Sequence, residues 1–308
     1  MAEAAILIVH PDRKTQRAVQ RILGVTGHRV DTADDLDQAI RLLQHLAPLL
    51  VVIDSGVALT PAAEPFLRSV SGSIMTLIGP DAVDHVPKIL GLGAVTNLLV
   101  HPMPVLAEEL TVTAQKLIRR DLFGAEKYLL WGTELHERQI TRSTQRARVV
   151  QEISDAVRAR GQSARVASMA MLVADELISN AVHNAPVDAA GVHVRRDLAR
   201  DVDLALDGRD AVRLRWGCDA RYLAIEVTDQ YGSLDRETIL AALAKQDVRD
   251  TGGGAGMGIA LAYRSCDHLV FNLAPGRRTE IIALVDVRHP PAERMPASSY
   301  NVFVEKTS

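Results

Sequence analysis

Cysteine is scarce: Cys218 and Cys266 are the only two in 308 residues, and neither sits in a CxxC or beside a pair of histidines. A disulfide framework and a sequence-encoded zinc site are therefore not indicated, and ordinary reduced thiols are expected. An excess of one charge is missing as well. With 35 Lys and Arg against 38 Asp and Glu, the formal net charge is -3, so no basic field invites nucleic acid and no acidic surplus points to disorder. No run of about 18 apolar residues is available to span a bilayer. The start, MAEAAILIVHPD, carries an acid where a secretory signal needs a base. The expectation is a cytoplasmic protein with no direct nucleic-acid or membrane partner. A chain of 308 residues is long enough for two domains of ordinary size.

What is present begins with alternation. Short apolar runs at 4–9, 28–33, 49–55, 73–79 and 94–100 are separated by amphipathic segments at 14–27 and 35–46, with a closing helix from about 104 to 121. That pattern predicts an α/β doubly wound parallel sheet over residues 1–121. Ligand chemistry in such sheets gathers at the carboxyl ends of the strands, where His10, Asp12, Asp54, Gly79 and His101 fall. In length, strand order and the Asp after its third strand, the segment resembles the receiver domain of bacterial response regulators, a flavodoxin-like fold. The resemblance implies Mg²⁺ held by an acid pair after the first strand and phosphorylation of the Asp after the third. A hydroxyl after the fourth strand and a Lys-Pro after the fifth complete the family's site. Asp54 stands at the phosphoacceptor position, but the acid pair reads His10-Pro11-Asp12, the fourth strand ends LIGP, and the Lys-Pro reads His101-Pro102. The expectation is a degenerate receiver used for docking or dimerisation.

Residues 122–160 have helical periodicity and end at Gly161, so they are expected to form a helical connector or first helix. Arg138, Arg142 and Arg146 recur at helical spacing and read as a solvated face in preference to a phosphate-binding stripe. His136-Glu137 invites comparison with the phosphoacceptor His-Glu of sensor histidine kinases. The segment is too short for their dimerisation hairpin, so a surface histidine is expected.

The stretch DELISNAVHN (175–184) poses a different problem. Glu176, Asn180 and Asn184 lie four apart on an otherwise apolar helix, hence on one face. Buried polar groups need partners, supplied by the protein or by a ligand. Downstream, AVRLRWG (211–217) and RYLAIEVTD (221–229) read as a hairpin, and HLVFNLAPGRRTEIIALVDV as a final pair turning at APGRR. The glycines at 252–258 could cradle phosphates. No Gly-Lys-Ser/Thr of a Walker loop exists, and no third Gly of a dinucleotide fingerprint follows Gly254 and Gly256.

Glu176/Asn180, Asp229-x-x-Gly232, Gly254-x-Gly256-x-Gly258 and Thr279 nevertheless follow the order and approximate spacing of the GHKL ATPases. About 165–287 resembles that α+β ATP-binding sandwich. The resemblance implies ATP and Mg²⁺ as cofactors. Asn180 would coordinate Mg²⁺, Glu176 would deprotonate the attacking nucleophile, and Asp229 with Thr279 would recognise adenine. Gly232, Gly254, Gly256 and Gly258 would shape the pocket and its lid. Glu176 four residues ahead of Asn180 resembles the anti-sigma-factor serine kinases, which phosphorylate a serine on a STAS-type antagonist and sequester a sigma factor. Tyr231 and Ser233 stand where the family's adenine motif has glycines. The long charged stretch from Pro186 to Asp210 is insertion-like and fits a partner-binding loop or a solvated connection.

The domains are expected at 1–121, 122–160, 161–290 and a tail at 291–308, in which YNVFVE either adds a strand or stays loose. The leading expectation is a signalling regulator acting as a serine/threonine kinase on a protein partner, as a homodimer. A non-catalytic nucleotide switch or scaffold and an atypical histidine kinase are the alternatives.

Overall fold

The computed structural model describes residues 5–101, 107–244, 257–288 and 297–305. The chain divides into two compact units, Met1–Leu122 with Met295–Asn301, and Phe123–Arg294 with Val302–Ser308.

In the first unit the order is β1 (Ala5–Val9), α1 (Arg13–Gly24), β2 (Arg29–Ala33), α2 (Leu36–Leu43), β3 (Pro48–Asp54), α3 (Ser55–Ala58), α4 (Ala63–Ser69), β4 (Ser73–Ile78), α5 (Val86–Gly91), β5 (Asn97–Val100) and α6 (Ala107–Arg119). The five strands pair in parallel in the order β2-β1-β3-β4-β5, the flavodoxin-like doubly wound arrangement. The central strands AILIV and PLLVVID are apolar nearly throughout because both faces are covered. RVDTA, at the edge, is only partly buried. Ile6, Ile8, Leu50, Val52, Met75 and Leu77 close the core with Val19 and Leu23 of α1 and Leu110 of α6. Each such side chain contributes about 1.5–3 kcal/mol on burial. Tyr300 and Asn301 pair antiparallel with Leu98 and Asn97.

The second unit contains β6 (His136–Ile140), α7 (Arg146–Ala159), α8 (Ala164–Ser179), β7 (Val212–Cys218), β8 (Tyr222–Asp229), α9 (Arg236–Leu243), α10 (Met257–Arg264), β9 (His268–Ala274) and β10 (Arg278–Asp286). Its strands are antiparallel in the order β9-β10-β8-β7-β6. Helix α8 packs against α7 and α10 and on β8 and β10, giving an α+β unit. Ser163 caps α8 by accepting from Val166 N, and Val166, Ala170, Val173, Ala174 and Leu177 form its buried stripe. The YNVFVE segment belongs to a strand, β11 (Ser299–Val304), whose second part joins this unit. There Glu305 N donates to Leu273 O at 2.8 Å.

The segment 122–160 is not helical throughout. HERQI forms β6 at the sheet edge, with His136 opposite Trp216 and Ile140 opposite Val212. Only Ile140 of the five is fully buried, so the strand shows no apolar alternation and a helical period could be drawn through its charges. The arginines at 138, 142 and 146 consequently share no helix face. Each instead has its own acid: Arg138 with Glu152 at 3.0 Å, Arg142 with Asp203, and Arg146 with Asp175 at 3.0 Å.

Candidate functional site

Asp229 ends β8, and its register partner on β10 is Thr279. Directly opposed residues face the same side of a sheet, so the two side chains lie together with Val227 and Ile281. Asp229 is 5% exposed and Thr279 1%. Thr279 Oγ1 is buried beside the Asp229 carboxyl and helps hold that carboxyl's charged form. Tyr231 N at 2.8 Å and Gly232 N at 3.1 Å both donate to Asp229 Oδ1. Burial outweighs these donors and pushes the carboxyl up to about 6.

The turn after β8 requires glycine at 232. Its φ is +59°, and a Cβ there would stand 2.3 Å from Ala274 O and 2.7 Å from Arg277 N, both backbone atoms. The two residues that depart from the glycine pattern are tied down by their neighbours. Tyr231 donates its hydroxyl to Asp210 and lies under the Arg209 guanidinium, 4.5 Å from the ring centroid. Burial and Asp210 push its phenol up to about 12. Ser233 Oγ donates to Ala185 O at 2.7 Å, fastening the turn to the end of the helix that carries Asn180.

That helix changes pitch where the polar stripe begins. Residues Asn180–Asn184 form a π-helical turn, with Ala185 N donating to Asn180 O, a feature concentrated at functional sites. Asn184 Nδ2 donates to Asn180 Oδ1 at 3.0 Å, while Asn184 Oδ1 is buried and unpartnered. One turn earlier, Glu176 is half-buried, and burial with the neighbouring Asp175 raises its pKa, against the lowering by Arg200 and Arg146. The backbone of α10 comes so close that a Cβ on Gly258 would stand 2.6 Å from Glu176 Oε2. Gly254 and Gly256 lie outside the described residues.

Three residues of this region were missed or misread in the sequence. Arg200, within the irregular stretch after α8, donates from one guanidinium nitrogen to Ser179 O at 3.2 Å and Ser179 Oγ at 3.0 Å. Arg146 opens α7 and pairs with Asp175. His183 is 1% exposed, and burial together with Arg200 and Arg146 pushes it down to about 4. Arg200 carried no periodic signal, and Arg146 was disguised by its spacing from Arg138 and Arg142. His183 lies within the DELISNAVHN stretch, but nothing in its spacing marks it as buried.

The opposite face of the sheet carries a buried acid pair. Glu226 and Glu280 are both 0% exposed. Glu226 accepts from Ala125 N at 2.9 Å and pairs with Arg213 and Arg215, while Glu280 accepts from Gly124 N and Asn272 Nδ2, each at 2.8 Å. Burial and the charge of Glu280 push Glu226 up to about 7.

In the first unit the carboxyl ends of β1 and β3 bring His10 and Asp54 together, Nε2 to Oδ2 at 3.7 Å. Asp12 is used as the N-cap of α1. It accepts from Lys14 N, Thr15 N and Thr15 Oγ1, and the Thr15 hydroxyl chiefly holds its carboxyl down to about 2. Asp54 similarly accepts from Val57 N at 3.0 Å to cap α3. Ser55 Oγ and His85 Nδ1 lie 3.0 Å apart. His101 is buried at the end of β5, and Pro102 lies outside the described residues. Among the described residues no group of three or more His, Cys, Asp or Glu side chains is arranged to hold a metal ion, and no helix is long and apolar enough to cross a membrane.

No protein-family model matches the chain, and no curated protein matches it either. Among solved structures, the chain is similar to a chemotaxis response regulator of Vibrio cholerae (22% identity, 38% of this chain and 99% of that one, TM-score 0.30). It is also similar to a response regulator receiver domain protein from Clostridium thermocellum (18%, 38% and 96%, 0.31). A third is the signal receiver domain of an HD domain-containing protein from Pseudomonas fluorescens (18%, 39% and 90%, 0.34). The class assigned to the first unit, a flavodoxin-like fold, rests on its own strand order.

Proposed function

We propose that this protein is a signalling regulator whose second unit binds Mg-ATP and phosphorylates a serine or threonine of a protein partner. The observation that carries the nucleotide reading is the buried Asp229 carboxyl beside the buried Thr279 hydroxyl, on a turn that only Gly232 accommodates. A carboxylate acceptor next to a hydroxyl matches the exocyclic amine of adenine and a bridging water. Asn180 offers a carboxamide oxygen, a hard ligand of the kind Mg²⁺ takes, once Asn184 releases it. Mg-ATP, when bound, supplies the transferable phosphoryl group. Glu176, made more basic by burial, accepts the proton of the partner's hydroxyl, which is a weak nucleophile without an adjacent base. A STAS-type antagonist of a sigma-binding protein is the partner class we propose, with the kinase working as a homodimer.

The receiver-like unit serves as a docking element in this reading. Asp12 and Asp54 cap helices, and His10 stands where an acid would hold Mg²⁺.

The test is transfer of label from ATP to a STAS-type protein. Glu176→Gln should abolish transfer while leaving ATP bound, and Asn180→Ala should weaken Mg-ATP binding itself. A second reading, a non-catalytic nucleotide switch, is favoured by the hydrogen bond that already occupies Asn180 Oδ1. Full regulation of the partner by Glu176→Gln would decide for the switch.

A further inference from the structure

The irregular stretch between α8 and β7 reaches both ends of the proposed site. At one end Asp210 and Arg209 hold Tyr231, next to Asp229. At the other, Arg200 lies against α8 at Ser179, one turn from Glu176. Its middle is anchored where β6 passes into α7. Ser143 N donates to Leu204 O at 3.0 Å, Ser143 Oγ to Val202 O at 2.8 Å, and Leu206 N to Thr141 O at 2.8 Å. The stretch is therefore fixed to the unit rather than hanging from it.

Arg200 differs from the other arginines around it. Arg138, Arg142, Arg146, Arg195, Arg213 and Arg215 each have a carboxylate within ion-pair distance. Arg200 has none among the described residues. Its hydrogen bonds both leave one terminal nitrogen and end on Ser179, so most of its five donors are unused. Arg146 is near enough for the two like charges to act on each other, and both act on Glu176. Arg146 is held by Asp175 at 3.0 Å, whereas the Arg200 guanidinium keeps free donors that match the fork of a phosphate.

We propose that Arg200, contributed by the insertion-like stretch, contacts the terminal phosphate of the nucleotide beside Glu176. The inference rests on the nucleotide reading and deepens it by assigning the phosphate end to residues outside the four motifs. Because the contact is to the terminal phosphate, it distinguishes ATP from ADP. In the switch reading it would make Arg200 the sensor of nucleotide state.

The experiment is calorimetric titration of the full chain with Mg-ATP and with Mg-ADP, for wild type, Arg200→Ala, Arg200→Lys and Arg196→Ala. Arg196 is an exposed arginine of the same stretch and controls for overall charge. Loss of one charge-assisted hydrogen bond should weaken ATP binding by roughly tenfold to a hundredfold. ADP binding should stay within about twofold, Arg200→Lys should recover part of the ATP preference, and Arg196→Ala should match wild type. Equal weakening of ATP and ADP, or no weakening, in a folded Arg200→Ala protein would overturn the assignment while leaving the nucleotide site intact. A folded wild type that binds neither nucleotide would overturn the reading beneath it.

Discussion

Replacing Asp229 by Asn should stabilise the protein at neutral pH while emptying its proposed function. The carboxyl is 5% exposed, and burial raises it from its ordinary 3.8 to about 6. Between those values the folded protein holds a proton at Asp229 that the unfolded chain has released, so stability is lost as pH rises through that window. Above pH 6 the buried charge costs the folded state about 3 kcal/mol. Asn retains an acceptor oxygen for the N–H groups of Tyr231 and Gly232 but cannot ionise. At pH 8 Asp229→Asn should therefore exceed wild type by up to about 3 kcal/mol, and the gap should shrink toward zero near pH 4. Urea unfolding followed by tryptophan fluorescence suits the measurement, because the only two tryptophans, Trp131 and Trp216, lie in the second unit. Taking the difference between two proteins removes the pH dependence of Glu226, which both share. A gap that does not change between pH 5 and pH 8 would refute the claim that burial holds this carboxyl up. The more stable variant should bind Mg-ATP poorly, a stability–activity trade-off of the usual kind.

Four further outcomes follow from the geometry. Gly232→Ala combines a left-handed backbone with a Cβ meeting backbone atoms that cannot move aside, so about 2–5 kcal/mol of stability should be lost, read from the same urea curves. Gly258→Ala meets only the end of the Glu176 side chain, so the melting temperature should change little while ATP turnover falls by up to about a hundredfold. Glu226 is pushed up to about 7, so wild-type stability should decline as pH rises from about 4.5 to about 7, and Glu226→Gln should flatten that decline. Incubation with a small phosphodonor such as acetyl phosphate should leave no hydroxylamine-sensitive acyl phosphate. If one forms and disappears in Asp54→Asn, the docking account of the first unit is wrong.

The parallel α/β unit was legible because its central strands are continuous apolar runs, such as AILIV and PLLVVID, set between amphipathic helices. The β7–β8 hairpin was legible for a similar reason: RYLAIEVTD carries the β-branched and aromatic content of a buried strand. HERQI was not, because an edge strand with one buried residue has neither an apolar run nor an apolar alternation. The polar stripe of α8 raised the right question, since Glu176 and Asn180 interrupt a helix otherwise committed to burial. The π-helical turn that follows is a backbone adjustment no residue spacing announces. Arg200 was invisible for a different reason: it reaches Ser179 from 21 positions away through a stretch with no periodicity. The carboxylates Glu226 and Glu280 were hidden inside strand runs, and their partners Gly124 and Ala125 come from more than a hundred residues upstream.

The most direct test of the account is a calorimetric titration of the purified protein with Mg-ATP, with Asp229→Ala as the control. Saturable binding at one site per chain, lost in a variant that remains folded, is the predicted result. A folded wild-type protein that takes up no Mg-ATP would contradict it and leave the Asp229–Thr279 arrangement without a nucleotide to explain it.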